Sequence, residues 1–440
     1  MALAVVATYT AGRSVARRVT LAIRYSERTN VSGMEAPVSE GTCDALVIGG
    51  GPGGATAALL LAEAGWKVVL VERKTFPRRK VCGEYLSATN WPLFERLGLA
   101  DAFAQSAGPP IRQTAIFVGR SSVLADLPRP STADGLWGRA LSREHLDVLL
   151  LNRAASRGVD VRQPWRCVQV TRDGDGFACG IESQETRQST ELRAGLVIAA
   201  HGSWELGSLA TQPRQITPRA NDLLAFKAHF RDTALPPGLM PLLSFADGYG
   251  GMVHCDGGRT SLSCCLKRSR LERLDRSHAE AAGETVLQHI LESCPVLRPV
   301  LDNAIRQDVW LSAGPIRPGL RPCYRDGIFI VGNAAGEAHP VVAEGISMAM
   351  QSAWLLTQRL IAARPQWRDP RLADEIGAAY QIDWRRAFAP RIRTAAAVAQ
   401  WAMHPRLVAT TIPFVRAWPS LLTWGARLSG KARLLVANPR

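Results

Sequence analysis

The sequence predicts an α/β fold: a Rossmann-like, nucleotide-binding domain laid down in three segments, with an antiparallel β-rich insertion and a basic helical C-terminal segment. Three observations carry this. A GGGPGG loop at 49–54 sits between an apolar run and a helix of small residues. Two later segments repeat an apolar strand followed by a glycine turn, at 196–202 and 327–332. Between them, residues 206–310 break into short apolar runs divided by Asp-Gly turns.

The first segment opens with the strand-like run 44–48, turns through the loop, and continues as a helix from Ala55 to a second apolar run ending at Glu72. That is a βαβ unit, in which each loop glycine has a task. Gly49 turns the chain off the strand, Gly51 lets backbone approach a diphosphate beside Gly53, and Gly54 lets helix and strand pack closely. Unpaired N–H groups at the helix start then hold the anion. Glu72 follows at about the 20-residue spacing of a ribose-binding acid. Its charge would repel a 2′-phosphate, so the expected ribose is unphosphorylated, as in FAD or NAD. The boundaries read as 43–110, 139–205 and 311–375 for the nucleotide-binding pieces, with substrate-domain strands at 111–138 and 206–310. Residues 1–42 form an N-terminal extension that includes an alternative start at Met34, and 376–440 form the helical C-terminal segment.

With 440 residues, 47% of them hydrophobic, the chain can build two cored domains and lies outside the range of disorder. The net charge of +15 is concentrated at the ends: residues 384–440 hold ten Lys or Arg and no acid, and 1–33 hold five Arg against one Glu. A near-neutral body with no nucleic-acid motif argues against nucleic-acid binding. In the C-terminal segment arginines alternate with Trp401, Phe414, Trp418 and Trp424. That mixture fits either peripheral membrane contact through 384–440 or a helical cap with its tryptophans packed on the body. No apolar stretch is long enough to span a bilayer. The nine irregularly spaced cysteines make neither a disulfide framework nor a metal site, which fits a cytoplasmic protein.

The order GGGPGG, Glu72-Arg73, the segment 76–84 (FPRRKVCGE), Arg143 with Asp147, the turn 332–336 (GNAAG) and the segment 344–347 (EGIS) resembles the FAD-dependent group that includes aromatic hydroxylases, geranylgeranyl reductases and flavin halogenases. The resemblance implies a glutathione-reductase-like, three-layer FAD-binding domain. It also implies a cofactor site containing Gly49, Gly51, Gly53, Gly54, Glu72, Arg73, Cys82, Gly83, Arg143, Gly332, Asn333, Gly345 and Ile346. Asn333 stands where the family has an aspartate on the FAD ribityl chain, and its carbonyl can still accept from a hydroxyl. The helix from Gly345 would aim its N-terminus at the flavin and stabilise negative charge there. At 201–202 the chain has His-Gly where the hydroxylases carry Asp-Gly, and it holds no second dinucleotide loop, so NAD(P)H is expected as a transient electron donor.

Within that group, the absence of any lysine between Lys80 and Lys227 and of a WxWxIP motif argues against halogenation. Small residues near the expected flavin and the wide, glycine-rich strand 248–254 would admit a ring, so the expected activity is that of a monooxygenase acting on a hydrophobic aromatic, polyketide or lipid-like molecule through a flavin C4a-hydroperoxide. A lipid alkene reductase and an FAD electron carrier without its own substrate remain as alternatives. Tyr249, His254, Glu84, His339, His201 and Cys82 are the side chains to test, none with an assigned catalytic role. The odd separation of Tyr249 and His254 on one strand places them on opposite faces, so one of the two is expected at the pocket.

Overall fold

The computed structural model describes residues 41–129, 136–274, 282–364 and 369–431. The expectation about the N-terminal extension falls on residues outside these. Buried apolar runs form a parallel core: Gly41–Ile48 lies between Val68–Val71 and Ser189–Ala199, and Asp160–Arg162 and Ile328–Ile330 add to the two sides, all in parallel register. Val68–Val71 is buried at every position, the pattern required of a strand covered on both faces. The pair Trp165–Asp173 and Gly176–Ser183 continues antiparallel from the long strand Ser189–Ala199.

Helix α1 (Pro52–Glu63) packs against α2 (Arg143–Ser156) and α3 (Gly345–Ala362). The glycines permit this closeness. Gly49 has a positive φ, and a Cβ there would lie 2.6 Å from the Ala200 carbonyl; one on Gly54 would lie 1.9 Å from the Gly49 carbonyl. Both contacts are with backbone, which cannot move aside.

The second sheet runs Ile305–Arg306, Leu223–Arg231, Thr260–Lys267, Gly248–His254, Leu239–Phe245, Gln113–Val118 and Ser121–Asp126. Every strand read between 206 and 310 is found, and the 111–138 strands join the same sheet. The stretch also holds helices that the reading did not give it: Ala282–Ser293, flanked by the short Arg268–Leu271 and Arg298–Leu301. Val286 and Ile290 of Ala282–Ser293 pack with Phe226, Leu243 and Leu262 on one sheet face. Alternation turns Ala225, Lys227 and His229 to the other face, toward the first domain.

The C-terminal segment is helical, beginning at Pro370 rather than 376: α4 (Pro370–Ala402), α5 (Pro405–Ala417) and α6 (Ser420–Ala426). The Asp369 carboxylate caps α4 by accepting from the Arg371 amide. The helix α4 places Tyr380, Trp384 and Phe388 in the first core and Ala399 and Ala402 beneath the second sheet, tying the two together. Val408, Ile412 and Val415 of α5 pack on Ile116, Val118 and Val123. Of the four tryptophans in this segment, Trp384 is buried and Trp401 half-buried, as a packed cap requires, whereas Trp418 and Trp424 are exposed. No helix among the described residues is long and apolar enough to cross a membrane. All nine cysteines are free thiols.

Candidate functional site

The strand Gly41–Ile48 delivers the glycine loop to the N-terminus of α1, where Pro52 occupies the first turn without wasting an N–H group. A Cβ placed on Gly51 would meet only the Arg143 guanidinium, at 3.7 Å, so the helix start opens onto a trough. Arg143 is buried and held by two hydrogen bonds to Asp147, at 2.7 and 2.6 Å. The two halves of the expected signature meet here. A Cβ on Gly53 would stand 3.6 Å from Cα of Gly332, whose amide donates to Ser352 Oγ. Residues distant in sequence thus wall one trough.

Two cavities join along it. One, of about 340 Å³, is bordered by Glu72, Arg73, Arg78 and the loop 201–205. The other, of about 370 Å³, extends over Gly332, Asn333, Gly345 and Ile346 to the second sheet. Gly51, Lys80, Val81, Ala200, Gly202 and Trp204 border both. Glu72 is buried, with Oε2 accepting from the Gly50 amide and Oε1 from that of Lys74, which fixes the carboxylate at the strand end with lone pairs to spare. Arg73 pairs with Glu205 at the rim. Asn333 donates through Nδ2 to Glu337. Beyond Gly345 there is open space where a Cβ would point. An elongated trough with an anion-ready helix terminus at its middle, an acid at one end and a second helix terminus at the other fits a dinucleotide such as FAD.

Charge divides the trough. Lys80 lies at the junction, 5.2 Å above the Trp204 ring, and burial, with Arg143 and Arg78 nearby, pushes it down to about 8. At the second-sheet end Tyr249 faces His339, 3.2 Å from its Nδ1. Burial raises the Tyr249 phenol and lowers His339 to about 4, so both are neutral at physiological pH. The strand carrying Tyr249 continues through Gly250 and Gly251, which leave the wall open to a wide ligand, with Met240, Leu242 and Cys264 around it. As strand parity requires, only Tyr249 of the pair is at the cavity; His254 hydrogen-bonds the Leu235 carbonyl instead. His201 is lowered to about 4 by burial and bonds Gly202 and Thr211, a structural role at the first cavity.

Cys82, Gly83 and Glu84 all line the larger cavity. Behind them is a buried network that the sequence reading missed. Glu84, at positive φ, receives Lys227, His229 Nε2 and the Arg143 amide, and His229 Nδ1 reaches Asp308, which pairs with Arg79. Burial raises the Glu84 carboxyl, but Lys227 and His229 overcome it and hold the group at about 2. The available signal was a lysine and a histidine two apart in an otherwise apolar strand. Lys80 also alters the argument against halogenation. A lysine does reach the cavity wall, leaving the missing WxWxIP strand to carry that argument alone.

A family model described as FAD binding domain matches residues 42–380. Digeranylgeranylglycerophospholipid reductase 2 of Methanopyrus kandleri is 26% identical over 321 residues, covering 70% of this chain and 74% of that protein. Rifampicin monooxygenase of Rhodococcus hoagii is 24% identical over 378 residues, covering 80% and 72%. Across such curated relatives the chain spans from 59% to 91% of their length. The flavin-dependent brominase Bmp2 shares the fold, with a TM-score of 0.69 at 18% identity over 89% of this chain and 94% of that one.

Proposed function

The chain belongs to the FAD binding domain family, and on that premise we propose that this FAD-dependent oxidoreductase is a monooxygenase hydroxylating a hydrophobic aromatic or polyketide-like molecule. The observation that carries the reading is the largely apolar end of the trough. There Tyr249, on the cavity wall, is kept uncharged by burial, and the glycine strand leaves width for a ring. Oxygen insertion needs such a dry, fitted space beside the flavin.

Bound FAD supplies the redox chemistry, with NAD(P)H as transient reductant and dioxygen as oxidant. One oxygen atom enters the substrate, the other leaves as water, and NAD(P)H is oxidised. The chain's own groups have separate tasks. Gly51, Gly53 and the α1 terminus hold the diphosphate with Lys80 as a nearby cation, and Glu72 accepts from the ribose hydroxyls. Asn333 and the α3 terminus, at Gly345 and Ile346, accommodate the ribityl chain and the ring, and that terminus favours negative charge on the reduced cofactor. The second sheet, with Tyr249, positions the substrate and excludes water. Rifampicin monooxygenase among the relatives supports this reading.

A second reading, reduction of a lipid alkene, is favoured by Cys82, Gly83 and Glu84 on the cavity wall and by the archaeal reductase. The purified yellow protein should consume NAD(P)H and oxygen when given lipophilic phenols, and ¹⁸O₂ should label the product. Anaerobic turnover of an alkene with no label uptake under air would overturn hydroxylation in favour of the reductase. Flavin that is reduced with no substrate consumed would overturn both.

A further inference from the structure

Helices α5 and α6 carry an unpartnered apolar face. Leu407, Phe414, Trp418, Leu421, Trp424 and Leu428 are between 46% and 62% exposed, and every strongly exposed aromatic among the described large hydrophobic residues lies here. Leu421, Trp424 and Leu428 recur every three or four residues from α6 onward, and Phe414 and Trp418 precede them at the end of α5 and in the turn between the two helices. Arg406, Arg416 and Arg427 are exposed among them, and no acid occurs from 384 to the end of the chain. The same helix reaches the trough: Leu421, Leu422, Gly425 and Ala426 border the larger cavity, as does Lys431, which pairs with Glu344 next to the α3 terminus.

We propose that this face docks on an anionic lipid bilayer and that the cavity takes its substrate from the membrane past α6. Tryptophan and phenylalanine at headgroup depth, flanked by arginines, suit a bilayer interface. The long acid-free run is complementary to a negatively charged leaflet. A mouth bordered by the docking helix lets a lipophilic molecule reach the largely apolar end of the trough without crossing water. The substrate route rests on the reading of that cavity as the substrate pocket; the docking does not, so it is tested by binding alone.

The test is flotation of the full-length, FAD-loaded protein with vesicles of phosphatidylcholine, with and without 30 mol% phosphatidylglycerol (roughly the anionic content at which such basic patches bind). Co-flotation is expected with the anionic vesicles and should weaken with salt. The double variant Trp418→Ser, Trp424→Ser should lower partitioning at least ~10-fold. The triple variant Arg406→Gln, Arg416→Gln, Arg427→Gln should lower it by up to ~100-fold and remove most of the salt dependence. Because these side chains are exposed, thermal unfolding should be unchanged in both variants, and turnover of a water-soluble substrate should be unchanged in the tryptophan pair. Absence of flotation would overturn the proposal, as would flotation that the double variant leaves intact. A dimer that the tryptophan changes dissociate would instead make this face a contact between two copies, and an acidic protein that competes only with free chain would make it a protein site; either overturns the bilayer.

Discussion

Replacing Lys227 with methionine tests whether the buried network behind the cavity is held by charge pairing. Lys227 and Glu84 are each about 1% exposed, so solvent screening is negligible. Carrying the Glu84 carboxyl from its ordinary 4.5 down to about 2 corresponds to about 3 kcal/mol, and deleting one partner of a buried pair costs ~3–5 kcal/mol. The Glu84 pKa is lowered by folding, so its contribution is complete above the unfolded value and is lost as pH falls from 4.5 toward 2. In Lys227→Met the uncompensated burial draws the Glu84 pKa upward. The variant should then be least stable, relative to the parent, at pH 7.5, and should recover as the carboxyl takes up a proton toward pH 5. Urea denaturation of the FAD-saturated proteins at both pH values measures this. The expected deficit is about 3 kcal/mol at pH 7.5 and at least 1 kcal/mol less at pH 5. Adding Glu84→Gln should return part of the loss, since the orphaned charge is gone. A deficit under about 0.5 kcal/mol, or one that does not change with pH, would refute the reasoning.

Lys80, pushed down to about 8, should lend its charge to FAD binding only below that pH. Parent affinity should therefore fall as pH rises from 7 to 9, while Lys80→Met binds about 10-fold more weakly at pH 7 and shows a flat profile; parallel profiles by flavin fluorescence titration would argue against this role. Gly54→Ala forces a Cβ to 1.9 Å from the Gly49 carbonyl and should yield colourless or insoluble protein, whereas Gly345→Ala, with open space at that position, should stay folded. Absorbance near 450 nm, the approximate region of oxidised flavin, read against protein concentration in the soluble fraction, separates the two; a fully yellow Gly54→Ala would refute the packing argument.

What the sequence made legible was whatever depends on local backbone. The run 44–54 announces strand, turn and helix because glycine is the only residue able to turn at Gly49 and pack at Gly54, and the GNAAG turn does the same at 332–336. Their apposition, Gly53 against Gly332, follows from the parallel sheet bringing both strand ends to one edge. The Glu84 network stayed hidden because its contacts join residues 143, 145 and 79 positions apart along the chain, which meet only when the second sheet closes over the first. Ala282–Ser293 went unread for a different reason: its apolar face at Val286 and Ile290 is spaced for a helix but short, and the surrounding strands dominated the segment.

The charge gradient along the trough argues for the direction in which a dinucleotide lies. Around the smaller cavity stand Arg73, Arg78, Arg79, Lys80, Glu72 and Glu205, groups that find partners in diphosphate and ribose. At the other end burial works against ionisation: it lowers His339, raises Tyr249, and raises the Glu337 carboxyl beside Asn333 toward its neutral form. An adenosine half placed there would set its polar edges against largely apolar walls, while a flat ring in the smaller cavity would leave several charges to be desolvated without partners. An orientation with adenosine toward Glu72 and the ring toward Gly345 would match both ends. The division of charge that would seat the cofactor would then also leave the apolar side, with Tyr249 and the glycine strand, open to a substrate.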